Sequence, residues 1–170
     1  VHRLGPLLQA VADAQTRRPV VDGCEFREAL QALAVSGGVA GNVVPDEATV
    51  TINHRFAPDR TPDEAEAWVR SVIAPHLEDG DEVALVDMAP AAQPGLSHPV
   101  LRALVEEHQL PVSAKLGWTD VARFSALGVP AVNLGPGDAT LAHSADERVE
   151  RASLERTYEV LRAVLTAALP

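Results

Sequence analysis

Cys24 is the only cysteine in the chain, so neither an internal disulfide nor a self-contained thiolate zinc site is available. No neighbouring histidine or basic cluster marks it as a low-pKa nucleophile, and a small apolar side chain of this kind belongs in a core. No apolar run approaches the roughly eighteen residues that a bilayer-spanning helix needs, and no basic, apolar and cleavage-site pattern opens the sequence. Positive charge is scarce: 14 Lys and Arg against 24 Asp and Glu leave a formal net charge of −10. That balance repels phosphate backbones and anionic lipid. The densest basic stretch, Arg17-Arg18, is too short to form a local patch, so no nucleic acid and no membrane partner is expected. Three catalytic signatures are missing as well: the Gly-x-Ser-x-Gly elbow, the Gly-Lys-Ser/Thr of a P-loop and the His-Glu-x-x-His pair of zinc proteases. A reducing, cytoplasmic setting is the expectation.

What is present is an ordinary globular composition. The 170 residues are 46% hydrophobic and 22% charged, enough for one domain or two small ones. Leu4, Leu7, Leu8, Val11 and Ala14 recur at helical spacing and predict a helix over 2–16. No Ser, Thr, Asp or Asn precedes that helix as a cap and the chain does not begin with Met, so the expectation is a piece cut inside a longer fold. Cys24–Val35 is ambiguous: Phe26, Leu30 and Leu33 suit a helix, whereas Leu30, Ala32 and Ala34 alternate as in a strand. Three glycines make 36–42 a loop. Residues 47–56 alternate cleanly, with Ala48, Val50, Ile52, His54 and Phe56 on one face and Thr49, Thr51, Asn53 and Arg55 on the other, which predicts a strand. Thr61-Pro62-Asp63-Glu64 predicts a helix start with a capping box, followed by a buried stripe of Ala65, Trp68, Val69, Val72 and Ile73. Residues 82–88 read as a further strand. With Cys24–Val35 taken as a strand, the order is that of a split β-α-β-β-α-β unit without its opening strand.

Ala, Pro and Gly dominate 89–95, the composition of a linker. Beyond it helix and strand signals alternate: a helix over 97–109, a strand over 112–116, a short helix over 120–127, a buried strand over 129–134 and a closing helix over 153–169. Such alternation implies an α/β arrangement. Two strands are too few for an independent sheet, so the rest of it is expected outside this chain.

The loop that follows 129–134 runs Gly135-Pro136-Gly137 through Ala142-His143 to Asp146-Glu147. Ligands of open α/β sheets bind beyond the carboxyl ends of strands, so His143 is a candidate metal ligand or base as well as an ordinary loop histidine. Arg55 suits bidentate grip of a carboxylate, or a solvated strand face. Asn42 suits a turn. In Gly117-Trp118-Thr119-Asp120, Thr119 is placed to cap the following helix, whose free N–H groups would suit an anion.

The stretch Ser36-Gly37-Gly38-Val39-Ala40-Gly41-Asn42-Val43-Val44-Pro45, the strand end Asn53-His54-Arg55-Phe56, the turn Gly117-Trp118-Thr119-Asp120 and the run Asn133-Leu134-Gly135-Pro136-Gly137 through Ala142-His143 occur in one order. Together they resemble the dizinc amidohydrolases and exopeptidases, a family that includes acetylornithine deacetylase, aminoacylase and succinyl-diaminopimelate desuccinylase. The likeness is strongest to the actinobacterial desuccinylase branch and covers essentially the whole chain. The resemblance implies an α/β fold in two parts: residues 1–89 as a ferredoxin-like dimerisation lobe lacking its first strand, and 93–170 as the C-terminal part of a zinc-exopeptidase catalytic domain. It implies that Cys24–Val35 is a strand and that His143 is a metal ligand. It further implies that Asn42 and Arg55 hold the substrate's carboxylate end, and that Gly117, Trp118 and Thr119 line the same pocket. Two zinc ions, replaceable by cobalt or manganese, would be completed by ligands and a glutamate base in a missing N-terminal half, leaving this chain inactive and without metal alone. The implied partners are a second copy, forming a homodimer through 1–89, and a small anionic N-acyl amino acid. The implied reaction is release of succinate from N-succinyl-LL-2,6-diaminopimelate in lysine synthesis. Deacylation of acetylornithine or another N-acyl amino acid, and a non-catalytic dimerisation module, are the alternatives. The turn departs from many relatives, which read Thr-Ser-Asp where this chain has Trp118-Thr119-Asp120.

Overall fold

A computed structural model describes residues 1–115 and 117–167. The chain is a mixture of helix and sheet and separates into two compact units. The first comprises Val1–Pro94 with Ser113–Val129, and the second Gly95–Val112 with the chain from Pro130 onward.

The first unit opens with α1 (Leu4–Asp13), which buries Leu7 and Val11, four residues apart on one face. Two short strands follow, β1 (Val20–Val21) and β2 (Cys24–Glu25), joined by Asp22 and Gly23 at φ of 47° and 79°. Positive φ at both central residues is the geometry of the tight hairpin that Asp-Gly favours. The main sheet is the antiparallel pair β3 (Ala29–Gly37) and β4 (Ala48–Arg55), running from Ala29 opposite Arg55 to Gly37 opposite Ala48. The strand expected over Cys24–Val35 is therefore two strands, separated by 26–28. The register slips between Ala32 and Ala34, leaving Leu33 as an extra, largely exposed residue. A bulge of this kind breaks the alternation of side chains, which explains why the segment's pattern is neither purely helical nor purely strand-like.

Thr61 caps α2 (Pro62–Ile73) as its sequence predicts. Its hydroxyl accepts the Glu64 N–H at 3.2 Å, and the Glu64 carboxylate accepts the Thr61 N–H at 2.8 Å. α2 buries Ala65 and Ile73, while Trp68, Val69 and Val72 are half-buried. The core of this unit gathers Leu7 and Val11 with Cys24, Phe26, Leu30, Ala57, Ala65, Ile73 and Ala122. The last comes from α4 (Val121–Ala126), a short helix near the position predicted for it.

The second unit carries α3 (Pro99–His108) and α5 (Arg151–Ala167), close to their expected ranges; the predicted end of the latter, 168–169, lies outside the described residues. The Arg156 guanidinium donates to the His108 carbonyl at 3.0 Å, tying α5 to the end of α3.

Three expected strands do not form among the described residues. Residues 82–88, 112–115 and 129–134 join neither sheet, and Leu116 lies outside the description. A strand exists only through its ladder, and an apolar sequence without a partner strand is left unpaired. Val83, Leu85, Val86, Val112, Val129 and Val132 are accordingly exposed, so 129–134 is not the buried strand its sequence suggests. No described helix is long and apolar enough to cross a membrane.

Thr61→Ala removes half of the capping box and leaves the Glu64 N–H without its acceptor. The expected cost is about 1 kcal/mol, seen as a lower urea midpoint with an unchanged slope. An unaltered midpoint would show that the cap contributes nothing to α2.

Candidate functional site

Arg55 closes β4. Its neighbours His54 and Phe56 turn to one face, with ring centroids 5.7 Å apart, and Arg55 turns to the other. There it meets the turn at 117–119: the Arg55 Nη1 lies 3.9 Å from the point a Cβ on Gly117 would occupy, and the Lys115 Cε lies 3.7 Å from the same point. The structure thus brings Arg55 and Gly117 together. Lys115, the sole lysine of the sequence, joins them although no motif singles it out. Trp118 is 53% exposed, with the Arg123 guanidinium 5.4 Å from its ring centroid. These two and Ala122 face Asp87–Pro90 across a cavity of about 350 Å³. Thr119 does not cap α4 in the expected way. Asp120 holds the cap position without a side-chain cap bond, and the Thr119 carbonyl accepts the Ala122 N–H at 3.0 Å. A helix of six residues is too short to offer the expected anion site at its start.

Gln93 clasps the two halves of this region. Its side-chain amide donates to the Pro58 carbonyl at 3.0 Å, just beyond Arg55, and its backbone N–H donates to the Ser125 hydroxyl of α4 at 3.1 Å. Gln93 is the only polar side chain in the stretch from Met88 to Leu96, and the following Pro94 biases its backbone toward the extended region.

Beneath Arg55 lies a cluster that no sequence motif announces. The Glu28 side chain is fully buried. It accepts the Ala57 N–H at 3.1 Å and two bonds from the Arg17 guanidinium, at 2.6 and 3.3 Å; Arg17 also grips Asp59 at 3.0 Å. Arg60 approaches the second Glu28 oxygen at 3.7 Å and stacks 5.3 Å from the Trp68 ring centroid. The His54 imidazole, 5% exposed, packs 4.6 Å from Trp68, with its Nε2 4.0 Å from Glu28. Burial alone would raise the Glu28 carboxyl, but the bonds from Arg17 and Ala57 and the charge of Arg60 outweigh it and hold it below the usual carboxylate range. For His54 burial lowers the pKa, the Glu28 carboxylate opposes and Arg60 reinforces it, and the ring ends below its ordinary value.

Asn42 is exposed in the loop joining β3 and β4, at the end of the hairpin where Gly37 pairs with Ala48; Arg55 is at the other end, about 23 Å along β4 at strand rise. His143 belongs to the second unit. Its loop is ordered by Asp138, which accepts the Thr140 N–H at 2.8 Å at the start of a single 3₁₀ turn, and by the Gly137 N–H donating to Ser153 at 2.8 Å. His143 is exposed, with φ of 64°. Glu147 accepts its backbone N–H at 2.8 Å. Among the described residues no three His, Cys, Asp or Glu gather to hold a metal ion. One imidazole donor falls short of the three or four that zinc takes, so these residues alone do not complete a metal site.

A histidine held below its unfolded pKa stabilises the fold above that value, near 6.5, and the contribution is lost as the pH falls through the folded value. His54→Phe keeps the ring packing and removes the titration. The variant is expected to lose less stability than the unsubstituted chain between about pH 6.5 and pH 5, read from denaturation midpoints across that range. Parallel curves would show that His54 does not titrate in the fold.

Two family models divide the chain between them: residues 1–81 match the peptidase dimerisation domain, and 86–167 match peptidase family M20/M25/M40. A protein of Mycobacterium tuberculosis that carries a provisional name as succinyl-diaminopimelate desuccinylase is 50% identical over 167 residues, 97% of this chain and 46% of its own length. The succinyl-diaminopimelate desuccinylase of Corynebacterium glutamicum is 38% identical over 98% of this chain and 45% of its own. The N-acetyl-L-citrulline deacetylase of Xanthomonas campestris is 29% identical over 79% and 38% respectively. The chain spans about half the length of these relatives. With both models matched in sequence and nearly every residue covered, the chain belongs to peptidase family M20/M25/M40 and carries its dimerisation domain.

Proposed function

We propose that the whole protein is a metal-dependent amide hydrolase that releases succinate from N-succinyl-LL-2,6-diaminopimelate, and that this chain binds and orients the substrate. The observation that carries the reading is the Arg55 guanidinium seated against Gly117, because it unites two of the expected substrate positions from distant parts of the sequence. The relatives named for that activity support the choice of substrate. In this reading residues 1–89 are a ferredoxin-like lobe that pairs two copies, and 93–170 contribute to a zinc-exopeptidase catalytic domain. Arg55 takes a substrate carboxylate, Gly117, Trp118 and Thr119 line the pocket, Asn42 makes a further substrate contact, and His143 supplies one ligand to a pair of zinc ions. The metals would supply Lewis-acid activation of the amide.

His143 carries support of its own. A left-handed backbone costs a residue with a Cβ free energy that glycine avoids, so an imidazole kept there is consistent with a side-chain role. The relative named as a deacetylase favours a second reading, an N-acetyl amino acid as substrate.

Turnover by the full-length protein separates the two readings: N-succinyl-diaminopimelate should be hydrolysed at higher kcat/KM than N-acetylornithine or N-acetylcitrulline, and the reverse order would replace the first reading with the second. Arg55→Ala is expected to raise KM for the preferred substrate by tenfold or more, since a charged hydrogen bond carries about 1.5–3 kcal/mol. His143→Gly suits the backbone and removes the donor. It should lower zinc content while leaving the metal-free protein at least as stable, whereas full metal content with normal turnover would make His143 an ordinary loop residue.

A further inference from the structure

We infer that Lys115 is a specificity-determining residue: with Arg55 it forms a two-cation seat around Gly117 that favours ligands carrying a second carboxylate. The inference rests on the reading of Arg55 as a substrate-carboxylate group and deepens it. Both side chains approach the same point: the Lys115 Cε, which carries the ammonium, and the Arg55 Nη1 stand 3.7 Å and 3.9 Å from where a Cβ on Gly117 would be, so the two cationic side chains flank this glycine. Among the other cations Arg3, Arg17, Arg60, Arg70, Arg151 and Arg162 each hold a carboxylate within 3.7 Å, whereas Arg156 spends its guanidinium on backbone carbonyls. Arg55 and Lys115 hold none among the described residues. Two like charges left unneutralised side by side repel each other, and an anion placed between them removes that cost. The Gln93 clasp fixes the strand end that carries one charge to the helix that follows the other. A planar guanidinium grips one carboxylate in a fork, and a flexible ammonium reaches a second as a point charge. A succinyl group differs from an acetyl group by one carboxylate, so a second cation at this seat gives the discrimination a chemical basis.

Calorimetry on the full-length protein tests the seat without relying on turnover, using succinate and acetate as probes. The unsubstituted protein should bind succinate more tightly than acetate. Lys115→Met should weaken succinate by up to about fivefold, the scale of a solvent-exposed charge contact, and leave acetate unchanged. Lys115→Arg should restore most of the loss, which a merely structural role for the lysine would not require. Arg55→Ala should weaken both probes. Succinate affinity unchanged by Lys115→Met, or lowered equally with that of acetate, overturns the inference. Arg55→Ala without effect on either probe overturns the substrate reading of Arg55 instead, and leaves the Lys115 comparison to stand or fall on its own probe ratio.

Discussion

The first unit depends on one buried negative charge. Glu28 sits where β2 hands over to β3, and without partners a carboxylate with no exposed surface would be far too costly to ionise. Its partners come from two other connections: Arg17 from the segment after α1, and the Ala57 N–H and Arg60 from the loop between β4 and α2. Each partner satisfies the charge only if its segment is in place, so one side chain makes the positions of three connections mutually dependent. Removing one member would strand the others, which is why buried ion groups act as all-or-none constraints rather than as additive contributions.

Arg55 inherits its position from that constraint. His54 and Phe56 are held on the buried side of β4, and Ala57 is fixed to Glu28, so the residue between them can only face outward toward Gly117. The side chain proposed to take the substrate carboxylate is exposed, and the groups that aim it are not. This division suits a binding residue: rigidity comes from the interior, while the guanidinium keeps its charge for a partner from outside.

How much of this was legible in the sequence follows from the range of each interaction. α1, α2, α3, α4 and α5 were readable because helical spacing and the Thr61–Glu64 cap are local. β4 was readable because its alternation is unbroken, whereas the bulge at Leu33 scrambled β3. The hairpin at Asp22-Gly23 has a local signal of its own in that dipeptide, which the ambiguous pattern of the residues after it obscured. The strands expected over 82–88, 112–116 and 129–134 do not form among the described residues, because apolar composition records a tendency to pair and says nothing of whether a partner exists. Arg55, Gly117 and His143 could be named from short motifs. Glu28, Lys115 and Gln93 could not, because each acts across tens of residues of sequence and its role exists only after the chain has folded.

The apolar segments that join neither sheet have a consequence for the chain as a solute. Apolar backbone outside a ladder is a template for any other strand, including the same segment of a neighbouring molecule. A net charge of −10 keeps copies apart at long range. At physiological ionic strength that repulsion decays over about 8 Å, close to the reach of a side chain. Salt therefore weakens the barrier to self-pairing while leaving the apolar attraction intact, which makes the solubility of this chain sensitive to ionic strength.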